Sequence, residues 1–509
     1  MEKVDRRKVL KAGLGLMAFP PLLSACVPRA GSGYSLDFDP EQYRSATAQV
    51  GNQSVRYRAY EGIVYVQKPV DTRYQQMNLY IPEAYFEGKS IGNYDAQSAP
   101  IFLPNRVGGY MPAEPGQPGL QTAPGSSGSG PNAILLALAR GYVVASPGAR
   151  GRTNQAGDGS YTGKAPAAIV DLKAAVRYLR HNARRIPGNP ERIVSNGTSA
   201  GGALSALLGA CGNNPDFEPY LKALGAAPAR DDIFAVSAYC PITNLEHADA
   251  AYEWQFSGVN EYQNQLPSPP SQTGPSFPMP HAPVSGSLSP EQIALSQELK
   301  ALFPAYVNRL GLRDASGKPL SLNPDGTGSF QDYVAAFLQA SAQKALEAGQ
   351  DLSRVDWVKQ QNGRVVGVDF DAYVRALGRM KVPPAFDGLS LENAENELFG
   401  SNRDNARHFT RFSQERSKVG GSLAPAEVVR MMNPMSYIGS PATQTARHWR
   451  IRHGTADPHT SLAIPIILAT RLQNAGYAVD LFLPWGVGHG GDYDLEELFA
   501  WIDQIVAAG

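Results

Sequence analysis

The chain has 509 residues, 43% of them hydrophobic, enough to bury one large core and a second unit. Lysine plus arginine and aspartate plus glutamate both total 46, so no charge excess draws the chain toward nucleic acid or an anionic membrane surface. No HExxH, paired Cys-x-x-Cys or P-loop occurs, so neither a metal nor a nucleotide is implied and cofactor-free chemistry is expected.

Residues 1–30 read as a targeting region. Arg6-Arg7 sits in a twin-arginine pattern, and a weakly apolar run follows from Ala12 to Leu23. That run ends in Leu23-Ser24-Ala25-Cys26, which resembles a bacterial lipobox in which Cys26 becomes the lipidated first residue. A plain signal peptide with an incidental cysteine is the blander alternative. Together the two signals predict export by the twin-arginine route and a periplasmic lipoprotein anchored to a membrane through Cys26.

From Tyr34 to about Tyr94 the chain alternates β-branched and aromatic residues, predicting antiparallel strands at the start of a mixed sheet. Pro100 to Pro104 reads as a short buried strand leading into Asn105-Arg106-Val107-Gly108-Gly109-Tyr110. A Gly-Gly pair after an early strand can present a free backbone amide as an oxyanion donor, here that of Gly109; an ordinary turn is the alternative. Helix is then expected over Asn132–Arg140, strand over Gly141–Ser146 and an amphipathic helix over Ala165–Asn182. For the arginines of Pro147 to Arg152, a loop-fixing or surface role is favoured over substrate contact.

Ile193 to Asn196 reads as a strand, followed by Gly197-Thr198-Ser199-Ala200-Gly201-Gly202 and a helix-forming run. Gly-x-Ser-x-Gly is common by chance. Between a strand and a helix, however, it predicts a sharp turn that lifts the Ser199 hydroxyl above the sheet. The amide of Ala200, at the positive end of the new helix, would then face an oxyanion. Cys211 lies down that helix, about 18 Å from the catalytic edge, whereas Cys240 ends the strand Ile233–Tyr239 at that edge. Free thiols are therefore expected rather than a disulfide.

The strand–helix alternation implies a mostly parallel sheet with helices on both faces. It breaks at Pro241: Leu266–Pro290 is rich in proline and serine, and helices are expected over Glu291–Leu310, Ser329–Glu347 and Phe370–Leu377. We read residues 34–242 and 441–509 as two parts of one core, and 243–440 as a large, mainly helical lid insertion. Beyond it come a strand His448–His453 ending at Asp457, a helix Ser461–Gly476, a strand Val479–Pro484 and a helix Leu495–Ala508. His489 lies between glycines on the last loop. Ser199, Asp457 and His489 follow the Ser…Asp…His order of α/β-hydrolases, each just beyond a strand's carboxyl end. Asp492 is the alternative acid, although it follows the histidine.

GTSAGGALSALLGACGN, PNRVGGYMP, GARGR, MKVPPAFDGLSLENAENELFG and RIRHGTADPHTSLAIP together resemble the bacterial tannases, or tannin acylhydrolases, from Tyr34 to the C-terminus. The resemblance implies an α/β-hydrolase fold with a large lid, acting on galloyl esters, with Ser199, Asp457 and His489 as triad. It also implies that Lys381 and Glu395 of the lid hydrogen-bond the phenolic hydroxyls. One position departs from the best-known members: where they carry a second aspartate that contacts the galloyl ring, this chain has His459, which can also bond a phenol. The expected substrate is a small phenolic ester, with no obligate protein partner evident. The alternatives are a feruloyl or other phenolic-ester carboxylesterase, a serine peptidase on the same triad, and a non-catalytic polyphenol-binding protein.

Overall fold

Nine strands form one twisted sheet: β1 Arg44–Val50, β2 Gln53–Val64, β3 Gln76–Pro82, β4 Pro100–Pro104, β5 Val143–Pro147, β6 Asn189–Thr198, β7 Ala235–Tyr239, β8 His448–Arg452 and β9 Ala478–Phe482. Their order in space is β1-β2-β3-β5-β4-β6-β7-β8-β9. The computed structural model describes residues 33–121, 130–263 and 285–508. The twin-arginine pattern, Cys26 and most of the proline- and serine-rich stretch lie outside the described residues.

The first four strands in that order pair antiparallel, and from β5 to β9 every pairing is parallel. The chemistry of the residues accounts for this division. β4, β5 and β7 are apolar except for Ser146 and Ser237 and are buried at every position, as parallel strands covered on both faces must be. β1 alternates exposed and half-buried residues, as an edge strand can. The opening hairpin β1–β2 is tied by an unbroken register from Arg44↔Ala59 to Val50↔Gln53, and β1 is a strand not resolved separately in the sequence reading.

The helices fall close to their expected positions: Ala133–Ala139, Ala167–His181, Ala200–Ala210, Ala463–Asn474 and Leu495–Ala507. β7 and β8 are immediate neighbours, with His448 opposite Ala235 and Arg452 opposite Tyr239. The whole insertion therefore lies between two adjacent parallel strands, leaving at the carboxyl end of β7 and returning to the amino end of β8. It carries the long helices Pro290–Leu310 and Ser329–Glu347, and also two small antiparallel pairs, 358–361 with 364–368 and 261–263 with 285–287. Its first helix, Leu245–Phe256, is buried along most of its length, packs on the helix Pro290–Leu310 and reaches the core through Gln255, whose side-chain oxygen accepts from Ser461 Oγ at 3.1 Å and the Leu462 amide at 2.9 Å.

Candidate active site

Ser199 sits between β6 and the helix Ala200–Ala210 with φ 58° and ψ −120°, in a region that side chains rarely occupy. The neighbours explain why this conformation persists. A β-carbon on Gly197 would lie 2.3 Å from the Gly201 carbonyl oxygen, and one on Gly202 would lie 2.5 Å from that of Tyr239. One on Gly201 would lie 2.6 Å from the Val107 carbonyl oxygen. Only glycine fits at these three places, and the Ser199 amide donates to the Tyr239 carbonyl at 3.0 Å, which pins the turn onto β7.

The other two predicted members converge on this serine. His489 Nε2 is 2.9 Å from Ser199 Oγ, and His489 Nδ1 is 2.8 Å from Asp457 Oδ2. The second oxygen of Asp457 accepts the His459 amide at 2.9 Å. Asp457 is fully buried. Burial opposes its charge, but the imidazoles of His489 and His453 outweigh that and hold its carboxyl well below the usual carboxylate range. For His489 burial disfavours a proton, and the Asp457 carboxylate more than offsets it, raising its proton affinity well above that of a free imidazole.

Both loops are pinned to each other. Thr455 donates its amide to the Pro484 carbonyl and Ala456 to that of Val487, each at 3.0 Å. Asp492, the alternative acid, is occupied elsewhere: its Oδ1 accepts from Asn196 Nδ2 at 2.9 Å, tying the histidine loop to β6.

Lys381, Glu395 and His459 line one small cavity with Ser199, His489 and Phe386. The Lys381 ammonium lies 3.7 Å from the centre of the Phe386 ring. Burial lowers its pKa from the ordinary lysine value, with Glu395, Asp249 and Asp457 acting against that shift. Its place is set by Tyr252, whose hydroxyl accepts the amides of Met380 at 3.1 Å and Lys381 at 3.0 Å and donates to the Pro458 carbonyl at 3.1 Å. One buried phenol thus joins the lid lysine to the loop of the triad acid. His459 stacks on His489, and its pKa is pushed down to about 3, by burial first and then by the facing imidazole.

Ala200 opens its helix at the serine turn. Gly109, with φ 53°, lies in the loop that approaches the same turn: Asn105 Nδ2 donates to the Gly201 carbonyl at 3.0 Å and to Ser205 Oγ at 2.9 Å. Among the described residues, no backbone or side-chain acceptor takes the amide of Gly109.

Three further residues belong to this neighbourhood: Cys240, expected at this edge from the sequence, and Asn105 and His453, which were given no role there. Asn105 is the buried amide that ties the glycine loop to the serine helix. Cys240, with φ 36°, brings its sulfur to within 4.8 Å of ligand atoms of both Asp457 and His489, and donates to the Gly490 carbonyl at 3.4 Å. His453 is buried beside the triad acid, its Nε2 3.8 Å from Asp457 Oδ2. Asn105 and His453 lie within PNRVGGYMP and RIRHGTADPHTSLAIP, and each of the three follows directly on a strand of the sheet. Cys211 and Cys240 are both free, and burial pushes the Cys211 thiol up to about 11. Of the two arginines at the end of β5, Arg150 is buried against Asp171 and donates to the Thr162 carbonyl at 3.0 Å, a loop-fixing role as expected.

The chain is similar to several known proteins. The family BD-FAE matches residues 124–273. Among curated proteins, the chain is 29% identical over 97 residues to esterase LipQ of Mycobacterium tuberculosis and 32% identical over 100 residues to carboxylesterase NlhH of the same species. Each match covers 19% of this chain, and the chain spans only 22% and 31% of the lengths of those relatives. Similarity to solved structures is far more extensive. The tannase of Fusobacterium nucleatum is 49% identical, with a TM-score of 0.88 over 93% of this chain and 100% of that one. The tannase of Lactobacillus plantarum is 48% identical, with a TM-score of 0.87 over 92% and 99%. A tannin acyl hydrolase in complex with ethyl gallate is 48% identical over the same shares, with a TM-score of 0.86. With an α/β-hydrolase sheet, a helical insertion and this likeness over nearly its whole length, the chain is a carboxylic ester hydrolase and belongs to the bacterial tannase family.

Proposed function

We propose that the protein is a serine esterase that hydrolyses galloyl esters, those of tannins and simple gallates, through an acyl-enzyme. The observation that carries this reading is the grouping of a hydrogen-bonded Ser199–His489–Asp457 relay with Lys381, Glu395 and His459 around one cavity. Ser199 Oγ attacks the ester carbonyl as its proton passes to His489 Nε2, while Asp457 holds the imidazole in the required tautomer. The amides of Ala200 and Gly109 receive the oxyanion. His489 then gives its proton to the departing alcohol; in the second half it takes a proton from water, the hydroxide attacks the acyl-enzyme, and that proton passes to Ser199 Oγ as the bond to the phenolic acid breaks.

Ring recognition follows from what a gallate brings. Three phenolic hydroxyls lose water on entering the cavity and need polar partners there. Lys381 donates to phenolic oxygens, Glu395 accepts phenolic protons, and the neutral His459 does either. An ester without the hydroxyls leaves these groups unpaired, and sites of that design reject such analogues by roughly 10⁴ or more. The test is a comparison of kcat/KM for methyl gallate, methyl ferulate and methyl benzoate. Preference for gallate over benzoate by orders of magnitude is expected. Equal rates on the two, or a preference for ferulate, would refute the galloyl assignment while leaving the esterase intact.

The same reading includes the N-terminal region. Arg6-Arg7 and the Leu23–Cys26 pattern support twin-arginine export and a periplasmic protein held to a membrane by acyl chains on Cys26.

A further inference from the structure

We propose that Arg152 is a positioning residue that ties the turn bearing the Gly109 amide to the lid helix bearing Glu395. This rests on the esterase reading above. Residues Gly108 to Met111 form a tight turn, closed by the Met111 amide donating to the Gly108 carbonyl at 3.0 Å. Gly109 at φ 53° and Tyr110 at φ 55° are both left-handed, the pattern of a type I′ turn. For Tyr110 that conformation is unfavourable in isolation, so it persists only where the surroundings over-determine it.

Arg152 supplies that surrounding. Its Nε donates to the Gly109 carbonyl at 2.8 Å, and its own amide donates to the Tyr110 carbonyl at 2.8 Å. Both central carbonyls of the turn are therefore held by one residue. The close approach requires a glycine before it: a β-carbon on Gly151 would lie 2.2 Å from the Pro112 nitrogen. The guanidinium also forms an ion pair with Glu397, in the short helix Ala394–Leu398 that carries Glu395. With side chains 15% and 27% exposed, this pair is screened less than a surface one.

The pair does not stand alone. Around it the loop after β5 is stitched to the lid: Tyr161 donates its amide to the Asn402 carbonyl at 3.0 Å, and Ala165 donates to that of Leu398 at 2.9 Å. Lys164 Nζ donates to the Asn405 carbonyl at 2.7 Å. The ring-reading end of the lid is thus fastened to the core beside the oxyanion turn. One planar guanidinium serves both, with Nε on the turn and a terminal nitrogen on the lid.

A merely structural ion pair would affect all substrates alike, so the test separates kcat from KM on two esters. In Arg152→Met, kcat for a small acetate ester is expected to fall about tenfold with little change in KM, because the oxyanion turn loses its brace. For methyl gallate kcat should fall similarly and KM rise severalfold. Glu397→Gln should raise gallate KM with a smaller effect on acetate turnover. Arg152→Lys keeps the charge facing Glu397 and loses the forked donor, so it should recover gallate KM more than kcat. Active sites are counted by fluorophosphonate titration, which removes any loss of folded enzyme from the comparison. Wild-type kcat on both esters in Arg152→Met, or proportional losses of all parameters in all three variants, would overturn the proposal. If the wild-type enzyme does not discriminate gallate from benzoate, the galloyl reading fails, while the acetate kcat still decides the role of Arg152 toward the turn.

Discussion

The ring of His459 lies on that of His489, with centroids 4.1 Å apart and planes 16° from parallel. Burial and the neighbouring imidazole keep His459 neutral, so the proton at this stack belongs to His489, where Asp457 stabilises it. The base must be neutral to act, and Asp457 favours its protonated form. The acidic limb of kcat/KM is therefore expected to lie above the pH of a free imidazole. His459→Asp places a carboxylate against the same ring and should move that limb about one to two pH units higher. Asp457→Asn should move it lower and slow turnover sharply. A pH profile unchanged by both substitutions would show that neither residue sets the charge on His489.

Ser199→Ala should leave the melting temperature close to wild type and cost roughly 10⁴-fold or more in kcat. The contrast within the molecule sharpens this. Ser417 Oγ, His408 and Asp387 form a second relay in the lid, with spacings of 2.9 and 2.8 Å matching those at the catalytic edge. Its hydroxyl, however, accepts the Gly421 amide at 3.0 Å, and Asp387 also accepts the amides of Phe409 and Thr410. These atoms brace a loop. A fluorophosphonate should label the wild type once and Ser199→Ala not at all; labelling that persists at Ser417 would contradict this.

Lys381 provides a pH signature for ring recognition. Burial lowers its pKa, so its charge disappears at a lower pH than that of a free lysine. KM for methyl gallate should therefore rise on the alkaline side below the ordinary lysine range, with no parallel rise for a small acetate ester. Lys381→Arg should carry the gallate KM flat through that range, at the cost of a poorer fit. Lys381→Ala and Glu395→Ala should each narrow the gap between gallate and benzoate. Loss of all esters alike on Glu395→Ala would show that this residue does not read the ring.

Cys26→Ser is expected to move the protein from the membrane fraction to the soluble one with kcat unchanged. Tight membrane association of that variant would argue for another anchor.

How far the sequence could be read depended on the range of the interactions involved. The convergence of Ser199, Asp457 and His489 was legible because each follows a short strand, and parallel strands end at one edge whatever their order. The helices Pro290–Leu310 and Ser329–Glu347 were legible from local periodicity, and the first of these is closed by Gly311 in a left-handed conformation. The glycines around Ser199 were legible from composition, although the reason each must be glycine is a neighbour distant in sequence, such as Val107 beside Gly201. Cys240 was placed at this edge from its strand, but the parts played by Asn105 and His453 were not legible, since nothing local distinguishes them from an ordinary strand end or loop. Tyr252 is a further case: its hydroxyl joins Pro458 to Lys381 across the lid and the core, a link that exists only once both are folded.

β7 and β8 lie side by side although the insertion separates them in the chain. Closing so long a connection costs little more than closing a moderately long one, about 0.6 kcal/mol for each doubling of its length. Lengthening or rebuilding that excursion barely taxes the pairing that frames the serine. The segment that carries Lys381 and Glu395 can therefore vary in length without loosening the sheet that holds Ser199.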